Sequence, residues 1–382
     1  MVRNPLRIAV LLVAWFMALA GSAWADDSPL FPNVGPAEVE CKVGPRRTLI
    51  PDGAHGLHYF PDGPISVLGS RPLRFLMVCG VETVSFAGRD FADAVPQARV
   101  LKPSGGGPDA HYAGIYAVWP DRGRDRLLAA YHAEDHEGMG KVAGNSIPGF
   151  DGTVCLASID RKTGQAERLG SILTADRPRR RVEGPDAPLL ICQGVGEPHV
   201  VADEDRKQLL CYYTEWSNRK ERLVTLCMAR SPLDSGGTPG SWKKYHEGRF
   251  EEAGLGGHDT PVLSCGRGDV FQPHVTHVPR WDRFVMIFGC LVGEEYVRGK
   301  AEASGFYAAT SQDGIRWSQP QRIVTELTVF KDGKPTIQHP TFLVSEVTKD
   351  TLTGRLLYAY TPRWPTPHHL VTRPVTIRLK GR

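Results

Sequence analysis

Five times along this chain a polar residue, often beside a proline, opens an apolar run, and a second apolar run follows after a turn. The openings are PDGPISVL at 61–68, HYAGIYAVW at 111–119, GEPHVVA at 196–202, FQPHVTHV at 271–278 and QHPTFLV at 338–344. Their followers are RFLMVCG, RLLAAYHAEDH, QLLCYYTEW, RFVMIFGCL and RLLYAYTPRW. A two-strand unit recurring roughly every 50–70 residues is the sequence form of a blade array. In such an array the first strand of each blade leaves one face of the central channel and the second returns to it. The start of each first run and the end of each second run should therefore meet in one funnel.

The rest of the chain agrees with an all-β fold. Its 41 Gly and 30 Pro place turn signals such as PDG, TPG and KDG too often for long helices. Apolar runs are short and rich in Val, Ile, Leu, Phe and Tyr, with no sustained helical period. A short helix is expected only at 90–97, stopped by Pro96. Residues 26–56 read as an irregular N-terminal arm, and 57–382 as the five blades. Blades should end in hairpins. The clearest is ATSQDGIRWSQPQRIV at 309–324, with Asp313-Gly314 as the turn and Trp317 packing back, and 155–173 repeats the layout around Thr163-Gly164.

Residues 1–25 carry Arg3 and Arg7, then IAVLLVAWFMALA, then Ala23-Trp24-Ala25. That is the pattern of a secretory signal peptide, cleaved before Asp26, rather than a membrane span, which needs about 20 apolar residues. A secreted or periplasmic chain with no membrane span is expected. Its eight cysteines lie in no Cys-x-x-Cys pair, and several sit inside apolar runs as small hydrophobes. One or two disulfides are expected. Lys plus Arg total 46 against 42 Asp plus Glu, and without the signal only two positive charges remain in excess. That balance excludes a nucleic-acid binder resting on a basic patch. The RPRRR cluster at 177–181 reads as a solvated loop. About 355 residues suffice for a large core in a single array, expected as a monomer.

Strand ends name the candidate site. The openings supply Asp62, His111, Tyr112, Glu197, His199, Gln272, His274 and His339; the returning ends supply Glu82, His132, Glu134, Asp135, His136, Glu215, Trp216, Arg363 and Trp364. Alternation aims residues i and i+2 the same way, so Glu197 and His199, Gln272 and His274, and His132, Glu134 and His136 should each point together. Charged groups are rarely buried unless paired, so this many at strand ends suit a polar pocket. YHAEDH at 131–136 admits three readings: a catalytic Glu134 or Asp135 oriented by histidines, a metal held by His132, Glu134 and His136, or a polar loop without chemistry. No second ligand set is visible, and neither metal nor cofactor is assigned. Trp216 and Trp364 suit either sugar stacking or blade packing. G-x-S-x-G, P-loop, Rossmann and H-E-x-x-H signatures are absent.

SQDGIRW resembles the S-x-D-G-x-x-W hairpin of five-bladed propeller glycosidases, a shortened cousin of the sialidase Asp box. With Glu197-Pro198-His199 opening the third unit and His339-Pro340 the fifth, residues 57–380 resemble the superfamily of glycoside hydrolase families 43, 32, 62, 68 and 117. That resemblance implies acidic residues at the inner strands of blades one to three and a blade-five histidine near the axis. Blade two departs from it, opening with Asp109-Ala110-His111-Tyr112. Five units rather than six, and no arginine triad, separate the chain from sialidases. Glycoside cleavage needs two carboxyl groups across the bond, one protonated. The expectation is Glu197 as acid and Asp62 as base or nucleophile, with Glu134 or Asp135 tuning the acid or placing the sugar. His111, His132, His136, His199, Trp216, Gln272, His274, His339, Arg363 and Trp364 would bind an oligo- or polysaccharide. The competing class is a non-catalytic propeller that binds carbohydrate or another ligand through the same funnel.

Overall fold

Why the second runs are apolar at nearly every position follows from where they lie. Each is sandwiched between two blades with both faces covered, so alternation is lost and the strand reads as a continuous hydrophobic run. The computed structural model describes residues 30–139, 149–177, 192–216, 224–292, 303–326, 333–364 and 366–381. The expected signal peptide and residues 178–181 of the basic cluster lie outside them. Among the described residues all the regular structure is strand, apart from single 3-10 turns, and no helix is long and apolar enough to cross a membrane.

β1 (Val39–Val43) and β2 (Arg47–Ile50) come first. Blade one is β3 (Ser66–Ser70), β4 (Leu73–Cys79), β5 (Glu82–Gly88) and β6 (Val95–Leu101). Blade two is β7 (Tyr112–Pro120), β8 (Arg126–Asp135), β9 (Phe150–Asp160) and β10 (Ala166–Leu173). Blade three is β11 (Cys192–Asp203), β12 (Gln208–Glu215), β13 (Thr225–Pro232), β14 (Lys243–His246) and β15 (Arg249–Ala253). Blade four is β16 (Gly268–Val278), β17 (Arg283–Val292), β18 (Gly305–Ser311) and β19 (Gln321–Val324). Blade five is β20 (Thr336–Val347), β21 (Thr351–Thr361) and β22 (His369–Leu379), completed by β1 and β2, which both pair antiparallel with β22. Within each blade neighbouring strands are antiparallel, and the five sequence units supply the first two strands of the five blades.

The core is five apolar layers, one between each pair of adjacent blades. Alternation along β4 shows how a strand serves two of them. Phe75 and Met77 pack with Leu357 and Leu370 of blade five, while Leu76 packs with Ala113 and Ile115 of blade two. Similar clusters join blades two and three, three and four, and four and five. The segment read from sequence as an irregular arm instead closes the ring. Val39 enters the layer between blades four and five, and Ile50 the layer between five and one.

Two other expectations are corrected. No helix forms at 90–97. Asp93 Oδ1 accepts the backbone N–H groups of Arg89 and Asp90 at 2.7 and 2.9 Å, closing a tight turn, and Val95 and Pro96 then enter β6. No disulfide joins any of the eight cysteines. Six are buried, several as small apolar members of the interblade layers, and Cys265 and Cys290 meet only through a thiol hydrogen bond. The Asp-Gly hairpin forms as expected: Asp313 accepts the N–H groups of Ile315 and Arg316 at 2.9 and 2.8 Å, and Gly314 adopts φ 77°. Trp317 packs across onto Tyr212 of blade three, with ring centroids 5.8 Å apart.

Candidate active site

Three inner strands carry the same backbone device. Glu197, Gln272 and His339 have φ of 50°, 56° and 54°, each precedes a proline, and each sits where the register of the inner strand slips against its neighbour. A bulge leaves a residue unpaired in the ladder, and a proline there has no N–H to strand. Positive φ is uncommon for non-glycine residues and gathers at functional positions. The bulge turns each of the three side chains toward the axis, where they meet.

The meeting is a hydrogen-bonded chain across four blades. Glu197 Oε2 accepts from Thr214 Oγ1 at 2.6 Å and from the Gln272 backbone N–H at 3.1 Å, and its Oε1 accepts from Gln272 Nε2 at 3.0 Å. Gln272 Oε1 accepts the His339 N–H at 2.8 Å. His339 Nε2 lies 3.2 Å from Asp62 Oδ1. Blade two reaches the same point through Tyr112 and Tyr116, whose hydroxyls donate to the Asp62 carbonyl.

YHAEDH lies beside this chain. His132 Nε2 is 3.0 Å from Glu134 Oε1, and His136 Nε2 is 2.7 Å from Oε2. A carboxylate only accepts, so each imidazole presents an Nε2 proton to Glu134. The expected common orientation of these three residues is therefore present, and both imidazoles spend Nε2 on the carboxylate between them. Among the described residues, no group of three or more His, Cys, Asp or Glu could hold a metal ion. Asp135 and His111 form a second pair further out, at 3.2 Å, with the His111 and His136 rings stacked at 4.9 Å.

Electrostatics separate the carboxyl groups. Burial pushes Asp62 above the ordinary carboxylate range, against the hydrogen bond and charge of His339, and the charge of Glu134 adds to the rise. Burial also acts upward on Glu134, but the hydrogen bonds from His132 and His136 prevail and bring it to about 2. Asp269, near the mouth on β16, is pushed up to about 7 by burial, with the Val224 N–H donating to it at 2.8 Å.

A second layer lies below the first. Two residues beyond each bulge position, His199, His274 and Thr341 accept a backbone N–H of the next blade. The donors are Val275 at 3.2 Å, Phe342 at 3.4 Å and Ile65 at 2.8 Å. The His199 and His274 rings are 4.1 Å apart. Burial depresses His199 to about 4 and His274 well below its usual value, so both are neutral near pH 7.

The structure thus brings together Asp62, His132, Glu134, His136, Glu197, Gln272 and His339. It sets Asp135 and His111 at the rim, and His199 and His274 beneath. Trp216 is buried against His132 and Phe150, and Trp364 against Tyr59 and His368. Arg363 is exposed beyond the end of β21. Glu82 pairs with Arg99 at 2.7 Å. Asp109 is buried ahead of β7, where Arg168 Nε, Ser104 Oγ and Tyr131 Oη reach it at 2.6, 2.6 and 3.3 Å. Sequence reasoning missed Thr214 and Tyr59. Thr214 stands two residues before Trp216 at a predicted strand end, a position that should have marked it. Tyr59 precedes the first opening and carries φ 57°.

The chain matches no protein-family model, and no curated protein matches it. Solved structures do. An exo-beta-1,3-galactanase from Phanerochaete chrysosporium aligns over 88% of this chain and 64% of its own, at 12% identity and a TM-score of 0.51. A thermostable family-43 glycoside hydrolase aligns over 93% and 96% at 11% identity and TM-score 0.48. An endo-arabinase from Bacteroides thetaiotaomicron covers 86% and 97% at 11% and 0.48. The chain is a five-bladed β-propeller. At such identities the likeness is one of fold, and fold alone does not fix function.

Proposed function

We propose that this chain is an exported, monomeric glycoside hydrolase acting on an oligo- or polysaccharide, with Asp62 and Glu197 flanking the bond that is cut. The observation that carries this reading is the convergence of Asp62 and Glu197, from different blades, on one hydrogen-bonded chain at the axis, with Glu134 of a third blade beside it. Cleavage requires one carboxyl group that holds a proton and one that is charged. Burial favours the proton on Asp62. Glu197, which accepts three hydrogen bonds from Thr214 and Gln272, is the other carboxyl group of the pair. The proton donor is therefore Asp62 and the base or nucleophile Glu197, the reverse of the order suggested by the strand openings. Glu134, locked between two imidazoles, supplies a fixed negative charge that favours the protonated form of Asp62 and a cationic, oxocarbenium-like transition state.

The test is a panel of aryl glycosides and polysaccharides, run with the native protein and with Asp62→Asn, Glu197→Gln and Glu134→Gln. β-1,3-linked galactans belong in it, since the galactanase was solved with beta-1,3-galactotriose. Native turnover that falls about 100-fold or more in the Asp62 and Glu197 variants is expected. Asp62→Asn should lose far less on aryl glycosides whose leaving group needs no proton, and equal loss on both substrate types would contradict the donor role. Glycan binding by the native protein without any turnover would establish the non-catalytic alternative instead.

A further inference from the structure

We infer that Gln272 is a positioning residue that fixes Glu197 and His339 relative to each other and so couples the two carboxyl groups, an inference that rests on the carboxyl-pair reading above. Its backbone N–H and side-chain Nε2 both donate to Glu197, and its Oε1 accepts the backbone N–H of His339, whose imidazole meets Asp62. One amide thus donates toward blade three and accepts from blade five. A carboxylate would lose the donor end and a hydrocarbon would lose both. The bulge at φ 56°, ahead of Pro273, aims the Gln272 N–H in the same direction as its side chain. Gln272 is 5% exposed, and both ends of its amide are engaged, so contact with substrate would require breaking this chain.

Other titratable groups surround Glu197. Tyr116 and His132 approach from blade two, Glu215 and His199 lie on its own blade, Asp269 and His274 on blade four, and His339 leads to Asp62. None of them replaces the two donors that Gln272 supplies.

The experiment is a carboxyl titration of the whole protein carrying carbon-13 at the glutamate side-chain carboxyl. The Glu197 resonance is identified by its absence in Glu197→Gln. In Gln272→Met the Glu197 midpoint should rise by about one pH unit or more, because a hydrogen bond to the charged form is gone. Gln272→Glu, which keeps the shape and adds a like charge, should raise it as well, and serves where Gln272→Met does not fold. Unshifted Glu197 midpoints in folded variants would overturn the inference. Should the native protein turn over a glycan, Gln272→Met should lower kcat about 10-fold or more with KM little changed and move the acidic limb of the pH profile upward. A merely structural role would lower Tm without moving that limb. Absence of native turnover would remove the carboxyl-pair reading and leave the titration result standing.

Discussion

A methyl group at position 196 has nowhere to go. A Cβ on Gly196 would lie 2.1 Å from His132 Nδ1 and 2.8 Å from Trp216, and one on Gly152 would lie 3.2 Å from each of those two rings. The two glycines together form the slot that admits His132 between blades two and three. Gly196→Ala should therefore cost about 1–3 kcal/mol by overpacking, read by urea denaturation. By tilting His132 off Glu134, it should also raise the Glu134 titration midpoint above about 2. A stable variant with an unchanged midpoint would show that His132 does not hold the carboxylate. At this scale the sequence was half legible. Glu197, Gln272 and His339 stand out because a polar residue before proline opens an apolar run. Gly196 and Thr214 do not, since what they do depends on His132 and Gln272, residues distant in sequence. Trp216 and Trp364 could be read either way, because a strand end places an aromatic ring without saying whether a neighbouring blade covers it.

Among the elements, the inner strands carry the clearest pH dependence. His199 and His274 each accept a backbone N–H through Nδ1, which only the unprotonated nitrogen can do. Their folded values lie below the ordinary histidine value, so the stability they contribute is complete above pH 6.5 and is lost as pH falls below it, toward about 4 for His199. Glu134, also depressed, adds a loss between about 4.5 and 2. Unfolding free energy should therefore drop between pH 7 and 4.5, and His199→Asn, which keeps an acceptor without a titrating ring, should flatten that drop. An equal drop in the variant would remove His199 from the account. The misread helix at 90–97 has an elemental cause as well. Phe91 and Ala94, three residues apart, are both buried, which is the pattern of a helical face. Here that spacing arises from a turn closed by the Asp93 side chain.

For the whole molecule, the five repeats were visible but the closure was not. β1 and β2 are five and four residues long, and their partners lie at the far end of the chain, so no local pattern reveals the pairing. Yet they cover an edge of β22 and fill two interblade layers. Deleting residues 30–50 should abolish cooperative unfolding or drive aggregation through the exposed edge, read by calorimetry and light scattering. A deletion variant melting like the native protein would show that the ring closes without them. The expected disulfides are likewise dispensable to this architecture, where interblade packing does the stapling and most cysteines serve as small buried side chains.

Under the proposed function, carboxyl groups carried by separate blades act as one unit on a glycosidic bond. The most direct measurement is a double-mutant cycle on hydrolysis of the best polysaccharide found, using Asp62→Asn, Glu197→Gln and the pair together. Groups that act as a unit are not additive, so the double variant should be about as slow as the slower single one. Native rates in either single variant, or losses that simply multiply in the double, would contradict it.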